Sequence, residues 1–396
     1  MRTPINLAII LLVFSYCTKP LELQSIENPT SENSSLSRLF TDNTGKVFMS
    51  WVEEKEETTF LYYSEFDGKD WTEPIVISQS EDWFVNWADY PSLIALDGKP
   101  VAAHWLKKIP GNTYSYNVEI ASYSDGKFIE PLVPHTDNTA TEHGFVSMIP
   151  FTDSTFYAIW LDGRNTAGGH GEHGDLSTAM TLRGAELSQS GNILSEAEID
   201  NAICDCCNTS ITKTSNGLLA VYRDRTEGEI RDIYVARLTN GEWDDPKPVY
   251  NDEWEIAACP VNGPAVDSYN SSVAVAWFTG ANNKAVVKLA FSNNEGSSFS
   301  TPILIDAEAT LGRVDVLLKD ENTAWISWMN RNEESGSLQL KLVSMDGEIL
   351  ESYIISEMNP SRGSGFPQIT KANNGVLVSW TDYSESGKQI KTAILR

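Results

Sequence analysis

The chain has 396 residues, of which 41% are hydrophobic, and its formal net charge is −26 at pH 7. This acidic excess argues against nucleic-acid binding, because contacts with phosphates need a basic surface; it is also typical of a highly soluble protein. No linker, charge block or low-complexity tract appears after about residue 35, so we expect one large domain.

The first residues are typical of an export signal. Met1–Thr3 is a short basic start, and Ile5–Tyr16 is an apolar stretch too short to span a membrane comfortably. Cys17 follows directly, as in a bacterial lipobox, although Tyr16 stands where a small residue is usual. We expect a lipid on Cys17 to hold the protein at a membrane of the cell envelope; an ordinary signal peptide followed by a cysteine is the alternative. The expected domains are a signal peptide (1–16), a lipid-anchored tether with a closing strand (17–35) and a single propeller domain (36–396).

An apolar run that ends in an aromatic residue recurs seven times at nearly constant spacing. The terminal aromatic residues stand at positions 51, 105, 160, 222, 277, 328 and 380, so the steps are 54, 55, 62, 55, 51 and 52 residues. A fixed period in this range indicates one supersecondary unit used repeatedly, as in a propeller or a solenoid.

Each unit has the pattern of four short strands. A turn precedes the aromatic-ended run, an alternating segment such as Phe60–Phe66 follows it, and a second turn such as Asp67-Gly68 precedes a fourth strand. The predicted fold class is therefore all-β, a seven-bladed β-propeller of four-stranded antiparallel blades. The last unit lacks its fourth strand, which we expect a segment around Leu21–Ile26 to supply. Six blades is the alternative, if the first or last unit is irregular.

The residues with the richest chemistry fall on one face of this predicted ring. In such a blade, the loop between strands two and three lies on the same side as the loops between blades. Because function concentrates in loops held by a rigid scaffold, we expect a ligand site on that face. His104 is different, because it lies inside the run Val101–Trp105 and is expected in the core.

Thiols and imidazoles on this face admit two interpretations. Cys204, Cys206, Cys207 and Cys259 are an even set in an exported chain, which favours disulfides in any of three pairings. Thiolate and imidazole ligands also suit zinc or copper. The candidate metal ligands are these four cysteines with His135, His143, His170 and His173. His170-Gly-Glu-His173 lies in a glycine-rich stretch, unlike the helical motif of zinc proteases, so spacing leaves the choice open.

Arginines and acids on the same face predict an anion site with acid–base chemistry. Guanidinium groups bind carboxylates and phosphates through paired hydrogen bonds, and nearby carboxylates can transfer protons. We expect Arg164, Arg223 and Arg225 to reach one pocket. Further ligand-binding candidates are Arg313 and Arg362, and the catalytic candidates are Asp162, Asp224 and Glu227. Alternatively, Arg–acid pairs within Tyr222–Asp232 only hold that loop in place.

Two segments resemble those of sialidases. Ser292–Phe299 resembles a degenerate Asp-box, the Ser-x-Asp-x-Gly-x-x-Trp hairpin of sialidases and related propellers, and Ala88–Ile94 is similar to the sialidase Tyr/Phe-Arg-Ile-Pro segment. The chain thus resembles the sialidase-like superfamily. This implies a propeller and, for an enzyme, an arginine triad, a Tyr–Glu nucleophile pair and an acidic Asp. Asp89 and Tyr90 stand where that segment has its arginine, so no catalytic residue is carried over.

The favoured function is binding of a ligand on the loop-bearing face of an exported sialidase-like propeller. That ligand would be a small molecule, a glycan or a metal ion. The alternative is an exo-acting glycoside hydrolase of sialidase type, with arginines binding an acidic sugar and a carboxyl group as the acid. A third hypothesis is docking of a protein partner on Trp83, Trp87 and Trp254, although packing between blades is the commoner fate of such residues.

Overall fold

Seven antiparallel sheets follow one another along the chain and close into a ring, which confirms the predicted seven-bladed β-propeller. The computed structural model describes residues 21–166, 174–331, 335–373, 375–385 and 387–396. The first strands of neighbouring blades contact one another, so they line the central channel and the later strands lie further out. Among the described residues, no helix has the length and apolar character needed to cross a bilayer.

The strands of the first four blades have the following bounds. Blade 1 contains β2 (Ser34–Thr41), β3 (Val47–Lys55), β4 (Thr58–Phe66) and β5 (Ile75–Ser80). Blade 2 contains β6 (Ser92–Leu96), β7 (Lys99–Lys108), β8 (Tyr116–Ser124) and β9 (Lys127–Phe128). Blade 3 contains β10 (His143–Pro150), β11 (Thr155–Asp162), β12 (Met180–Ser188) and β13 (Ile193–Ile203). Blade 4 contains β14 (Ser210–Thr214), β15 (Gly217–Arg223), β16 (Ile233–Thr239), and an outer strand in two pieces, β17 (Glu242–Trp243) and β18 (Lys247–Pro248).

The remaining three blades complete the ring. Blade 5 contains β19 (Ala265–Tyr269), β20 (Ser272–Thr279), β21 (Val286–Ser292) and β22 (Ile303–Asp306). Blade 6 contains β23 (Thr310–Asp320), β24 (Thr323–Arg331), β25 (Gly336–Ser344) and β26 (Ile349–Met358). Blade 7 contains β27 (Gln368–Ala372), β28 (Gly375–Ser384), β29 (Gly387–Leu395) and β1 (Leu23–Ile26). Short 3₁₀ turns span Arg164–Thr166, Leu176–Thr178, Ala281–Asn283 and Arg362–Ser364.

An N-terminal strand closes the ring, as predicted. β1 pairs antiparallel with β29, with Leu23 opposite Leu395 and Ile26 opposite Thr392. This pairing covers the outer edge of β29, which would otherwise expose unpaired backbone groups.

The seven repeating aromatic residues stand on the second strand of each blade and are buried. Burial of an indole or phenol needs a partner for its polar tip. Trp160 Nε1 donates to Asp162 Oδ2 at 3.0 Å, Trp277 Nε1 to Asp252 Oδ2 at 2.7 Å, and the Tyr222 hydroxyl to Asp200 Oδ2 at 2.6 Å. The sequence period therefore records one packing unit, in which a large aromatic residue is both buried and hydrogen bonded.

Candidate functional site

A cavity of about 480 Å³ opens at the end of the channel that carries the between-blade loops, and we call it the mouth cavity. Its volume lies in the usual range for small-ligand sites. The functional groups on its wall come from seven between-blade or strand-connecting loops and the start of β8. They are Phe84, Trp87, Tyr114, Tyr116, Asp89, Glu142, Asp205, Cys206, Cys259, Arg225, Arg231 and Arg362.

A larger recess of about 1040 Å³ lies at the rim of blades 1 and 2 and shares only Phe84 with the wall of the mouth cavity. Its wall consists largely of exposed charged side chains such as Glu81, Asp82 and Lys108. The mouth cavity is the better candidate site, because buried groups with shifted pKa values converge there.

Three acidic groups form one wall of the mouth cavity. The Tyr116 hydroxyl donates a short hydrogen bond to Glu142 Oε1 and lies 3.5 Å from Asp89 Oδ2. The other oxygen of Asp89 accepts a hydrogen bond from the Phe145 backbone N–H at 2.8 Å. We call Asp89, Tyr116 and Glu142 the acid wall.

Among the described residues, no cationic side chain lies within hydrogen-bonding distance of the acid wall. Burial is therefore the main cause of the pKa shifts of its carboxyl groups. Burial raises the pKa of Glu142 to about 7; the hydrogen bond from Tyr116 opposes this shift and the charge of Asp205 adds to it. Burial likewise raises the pKa of Asp89 well above its usual range, against the hydrogen bond from Phe145. Near neutral pH the acid wall therefore holds dissociable protons inside a cavity, as a general acid requires.

The backbone around the acid wall is built for close approach. A Cβ atom on Gly144 would lie 2.1 Å from Asp89 Oδ2 and 3.0 Å from the Tyr116 ring. Phe145 and Val261, both on the cavity wall, have φ values of 52° and 50°. Such left-handed conformations are unfavourable for bulky and β-branched residues, and they cluster at binding and catalytic sites.

On the side of the cavity formed by blades 4 and 5, a buried carboxylate is paired with two arginines. Glu229 accepts from Arg225 Nη2 at 2.9 Å and from Arg231 Nη2 at 2.7 Å, and all three residues are buried. Arg225 also lies 3.5 Å from Asp205 Oδ2. Burial alone would raise the pKa of Glu229, but the two guanidinium groups lower it to about 2. This arrangement agrees with the alternative that Arg–acid pairs hold the Tyr222–Asp232 loop.

Four thiols lie beside these arginines. The sulfur atoms of Cys204, Cys206 and Cys207 all lie within 4.8 Å of one another, and those of Cys204 and Cys207 are 3.3 Å apart. Cys259, from the next between-blade loop, is within hydrogen-bonding reach of Cys206. All four are free thiols in the structure.

The charges around the thiols differ from one sulfur to the next. Arg231 Nη1 lies 3.4 Å from Cys204 Sγ. Burial opposes ionisation of Cys204, but hydrogen bonds from Cys206 and Cys207 and the charges of Arg231 and Arg223 together lower its pKa well below the usual value. The hydrogen bond that Cys206 makes to Cys204 raises the pKa of Cys206.

The predicted ligand-binding arginines do not share one pocket. Of Arg164, Arg223 and Arg225, only Arg225 lines the mouth cavity. Arg223 donates to the carbonyl groups of Asn262, Arg231 and Phe278 and stacks on Trp254, so its hydrogen-bonding capacity is used by the scaffold.

Arg164 lies over blade 3, outside the cavity. Its Nε donates to Asp162 Oδ1 at 2.7 Å, and its Nη2 lies 3.4 Å from Glu196 Oε1. Arg164 and Arg223 were expected beside Arg225 because their loops are adjacent; their side chains are instead held by nearer acids and carbonyl groups.

Arg313 and Arg362 contact the same indole ring. Arg313 lies 4.9 Å and Arg362 5.7 Å from the Trp87 ring centre. Arg313 is buried and donates to the carbonyl groups of Ser361 and Gly365. Burial, with the neighbouring Arg362 charge, lowers the pKa of Arg313 to about 10. Arg362 lines the cavity, and among the described residues its guanidinium has no hydrogen bond or ion pair.

The described histidines lie outside the mouth cavity. The rings of His135 and His143 stack at 3.7 Å, and Asp137 approaches His135 Nδ1 at 3.1 Å and His143 Nε2 at 3.3 Å. His143 Nε2 also lies 3.7 Å from Asp162. Burial, with the charge of His143, lowers the pKa of His135 to about 4. His104 is buried in blade 2 and bonds Ser92.

The predicted catalytic carboxylates also lie off the cavity. Asp162 is fully buried between Trp160, Arg164 and His143. Asp224 is buried near Asp200, and burial and that neighbour raise its pKa to about 8. Glu227 is exposed. His170, His173 and Cys17 fall outside the described residues.

No member of the acid wall was among the functional residues predicted from the sequence. Glu142 directly precedes His143 in a between-blade loop, and Tyr116 begins β8 beside another such loop. Their place on the loop-bearing face was a usable signal, but nothing in the sequence distinguishes them from neighbouring acids and tyrosines.

The three tryptophans considered for docking have different surroundings. Trp83 is buried and stacks on Trp105, and Trp254 is buried beneath Arg223. Trp87 lines the mouth cavity and stacks on Phe366 at 5.6 Å. Trp87 is thus the member of this set that a cavity ligand can contact.

Comparison with known proteins shows a likeness of fold alone. No protein-family model and no curated protein matches the chain. A crystal structure of a protein of unknown function from Dyadobacter fermentans DSM 18053 is 13% identical with a TM-score of 0.50, over 96% of this chain and 98% of that one. A polysaccharide lyase is 9% identical with a TM-score of 0.48, over 93% and 90% of the two chains. A Hadza microbial sialidase is 12% identical with a TM-score of 0.41, over 75% and 63%.

Proposed function

We propose that the protein binds a carbohydrate unit carrying a negatively charged group in the mouth cavity. The observation that carries this proposal is Arg362, a guanidinium on the cavity wall without a hydrogen-bonding partner among the described residues. A planar guanidinium binds a carboxylate through two parallel hydrogen bonds. Arg225 and Arg231 add positive charge, although Glu229 offsets part of it.

The rest of the cavity wall suits a sugar ring. Trp87, Tyr114 and Phe84 provide aromatic surface that can pack on the apolar face of a pyranose. Glu142, whose pKa is about 7, is partly protonated near neutral pH and can then donate a hydrogen bond to a hydroxyl or ring oxygen. Burial raises the pKa of Asp89 in the same direction.

Binding is tested by calorimetric titration with sialyllactose and an oligogalacturonate, using lactose as the neutral control. We expect at least one of the two acidic glycans to bind, and we expect lactose not to bind. Arg362→Ala should weaken binding by about 10- to 150-fold, since a hydrogen bond to a charged group contributes ~1.5–3 kcal/mol. Arg183→Ala, which removes an arginine from the outer part of blade 3, should leave affinity unchanged. Unaltered affinity in Arg362→Ala would refute this site.

Hydrolysis of the bound glycan is a second candidate function, and the protonated Glu142 favours it. A carboxyl group with a pKa of about 7 can protonate a glycosidic oxygen at neutral pH. Its partner Tyr116 lies on the same wall, in hydrogen-bonding contact.

Turnover is tested with fluorogenic sialosides and uronides. If the protein hydrolyses one of them, Glu142→Gln should lower kcat by about 10²–10⁴-fold, the usual contribution of a general acid. Binding measured as above should survive that substitution. If the wild type binds an acidic glycan but does not hydrolyse it, hydrolysis is refuted and binding remains as the function.

We also propose that the protein is exported and anchored to a bacterial membrane through a lipid on Cys17. The basic start and the apolar Ile5–Tyr16 support this proposal. Metabolic labelling with a clickable fatty acid should mark the wild type, and Cys17→Ala should lose the label and appear in the soluble fraction. Equal labelling of the two would contradict the anchor.

A further inference from the structure

Four thiols from two loops meet at one side of the mouth cavity. Cys204, Cys206 and Cys207 lie between blades 3 and 4, and Cys259 lies between blades 4 and 5. Cys204 and Cys207 are buried, whereas Cys206 and Cys259 reach the cavity wall. The cluster therefore has a buried side and a side open to the cavity.

The distances within the cluster fit a shared ion. A zinc–thiolate bond is about 2.3 Å long, so two sulfur ligands of one ion lie at most ~4.6 Å apart. The three sulfur atoms of Cys204, Cys206 and Cys207 lie within 4.8 Å of one another. The closest pair, Cys204 and Cys207, has its sulfur atoms 3.3 Å apart.

Two guanidinium groups lie beside the buried thiols. Arg231 lies 3.4 Å from Cys204 Sγ, and Arg223 lies close enough for its charge to act on Cys204 and Cys207. A positive neighbour stabilises the thiolate form that binds metals. These two guanidinium groups would also offset the negative charge of a multi-thiolate centre, whose burial would otherwise be costly.

The backbone holds the cluster in place before any ion binds. The Cys204 N–H donates to the Arg223 carbonyl at 3.0 Å, which fixes the first cysteine to the end of β15. Asn208, directly after Cys207, donates from its side chain to the Ala88 carbonyl at 2.6 Å. The loop is thus tied at both ends, and a pre-organised ligand set loses less entropy on binding.

We propose that Cys204, Cys206 and Cys207 bind a soft closed-shell cation, Cu⁺ or Zn²⁺, with Cys259 as a fourth ligand on the cavity side. Thiolate sets select these ions over Mg²⁺ and Ca²⁺, which prefer oxygen ligands. The ion links the loops on either side of blade 4 and stands in the wall of the cavity. The stacked pair His135 and His143 is a separate cluster and takes no part.

The experiment uses the mature protein, reduced and handled without oxygen. Separate titrations with Cu⁺ and Zn²⁺, each against a chromogenic chelator, measure affinity and stoichiometry, and Co²⁺ gives a sulfur-to-cobalt charge-transfer band. We expect one equivalent of ion per chain and a thiolate band with Co²⁺. Cys206→Ser should abolish both signals, Cys259→Ser should weaken the affinity at least tenfold, and the control His135→Ala should change neither.

A second measurement keeps the test decisive if a cysteine variant fails to fold. Alkylation of the wild type followed by mass spectrometry should label Cys206 and Cys259 in the metal-free protein, and one equivalent of the bound ion should protect both. Tight binding that survives Cys206→Ser would overturn the proposal. So would reduced wild-type protein that gives no thiolate band and no protection, which would leave disulfides as the role of these cysteines.

Discussion

Two glutamates at the channel mouth have pKa values that are shifted in opposite directions. Glu142, on the acid wall, has a phenol as its partner, and burial raises its pKa to about 7. Glu229 is also buried, but Arg225 and Arg231 lower its pKa to about 2. Burial alone therefore does not decide the charge of a carboxyl group. The presence or absence of a guanidinium partner decides it. Glu142, without such a partner, can take up and release a proton near neutral pH, whereas Glu229, with two, remains ionised.

The largest expected effect comes from removing a partner of Glu229. Arg231→Leu leaves a buried carboxylate short of one guanidinium, which should lower the free energy of unfolding by about 3–5 kcal/mol. Urea unfolding at pH 7 measures this loss. The control Arg183→Leu removes a partly exposed arginine paired with Glu196 and Glu198 and should cost at most about 1 kcal/mol. Equal losses in the two variants would mean that the buried Glu229 does not depend on its guanidinium partners.

Glu142→Gln should change how stability depends on pH. The pKa of Glu142 rises from 4.5 in the unfolded chain to about 7 in the folded protein, so the folded state binds the proton more tightly. Its contribution to stability is full below pH 4.5 and is lost as pH rises to 7, a change of roughly 3 kcal/mol. The amide side chain of the variant has no proton to lose.

Urea unfolding between pH 4.5 and 8 measures both proteins. The variant should gain stability relative to the wild type as pH rises, and the gain should level off above pH 7. The charge of Glu142 also raises the pKa of Asp89, so the difference between the two proteins includes the loss of that coupling. A constant difference across the pH range would mean that Glu142 ionises normally.

Gly144→Ala should disturb the acid wall without removing a titratable group. The added methyl group would meet Asp89 Oδ2 at 2.1 Å and force that carboxylate away from the Phe145 N–H. We expect a loss of about 1–3 kcal/mol in the free energy of unfolding, the usual cost of overpacking. Gly228→Ala is the control, because its nearest neighbours would be 3.8 Å or more away. Thermal unfolding of the two variants that gave the same midpoint would count against a tightly packed acid wall.

The smallest effect should come from Tyr116→Phe. Its hydroxyl favours the ionised form of Glu142, so its loss should raise the pKa of Glu142 by about one further unit, equivalent to ~1.4 kcal/mol. The difference in unfolding free energy between Tyr116→Phe and the double variant Tyr116→Phe/Glu142→Gln, followed against pH, measures that pKa. A downward shift would show that the phenol favours the protonated carboxyl group instead.

The spacing of the aromatic residues from Trp51 to Trp380 was sufficient to predict seven blades, and Leu21–Ile26 was correctly expected to complete the last one. These features are local. Each blade needs one buried aromatic residue at the same strand position, and a strand edge needs a partner, so both requirements leave a regular mark on the sequence.

The composition of the mouth cavity depended on the tertiary structure. Asp89 and Glu142 come from two between-blade loops and Tyr116 from the start of β8, so the three meet only when neighbouring blades pack. Arg223 and Arg225, two positions apart, end in different surroundings. The sequence by itself determined which loops share a face, because that follows from strand order. Which side chains face one another was decided by side-chain direction and, on the acid wall, by partners 26 and 27 residues away in the chain, because burial and hydrogen bonding there depend on those partners.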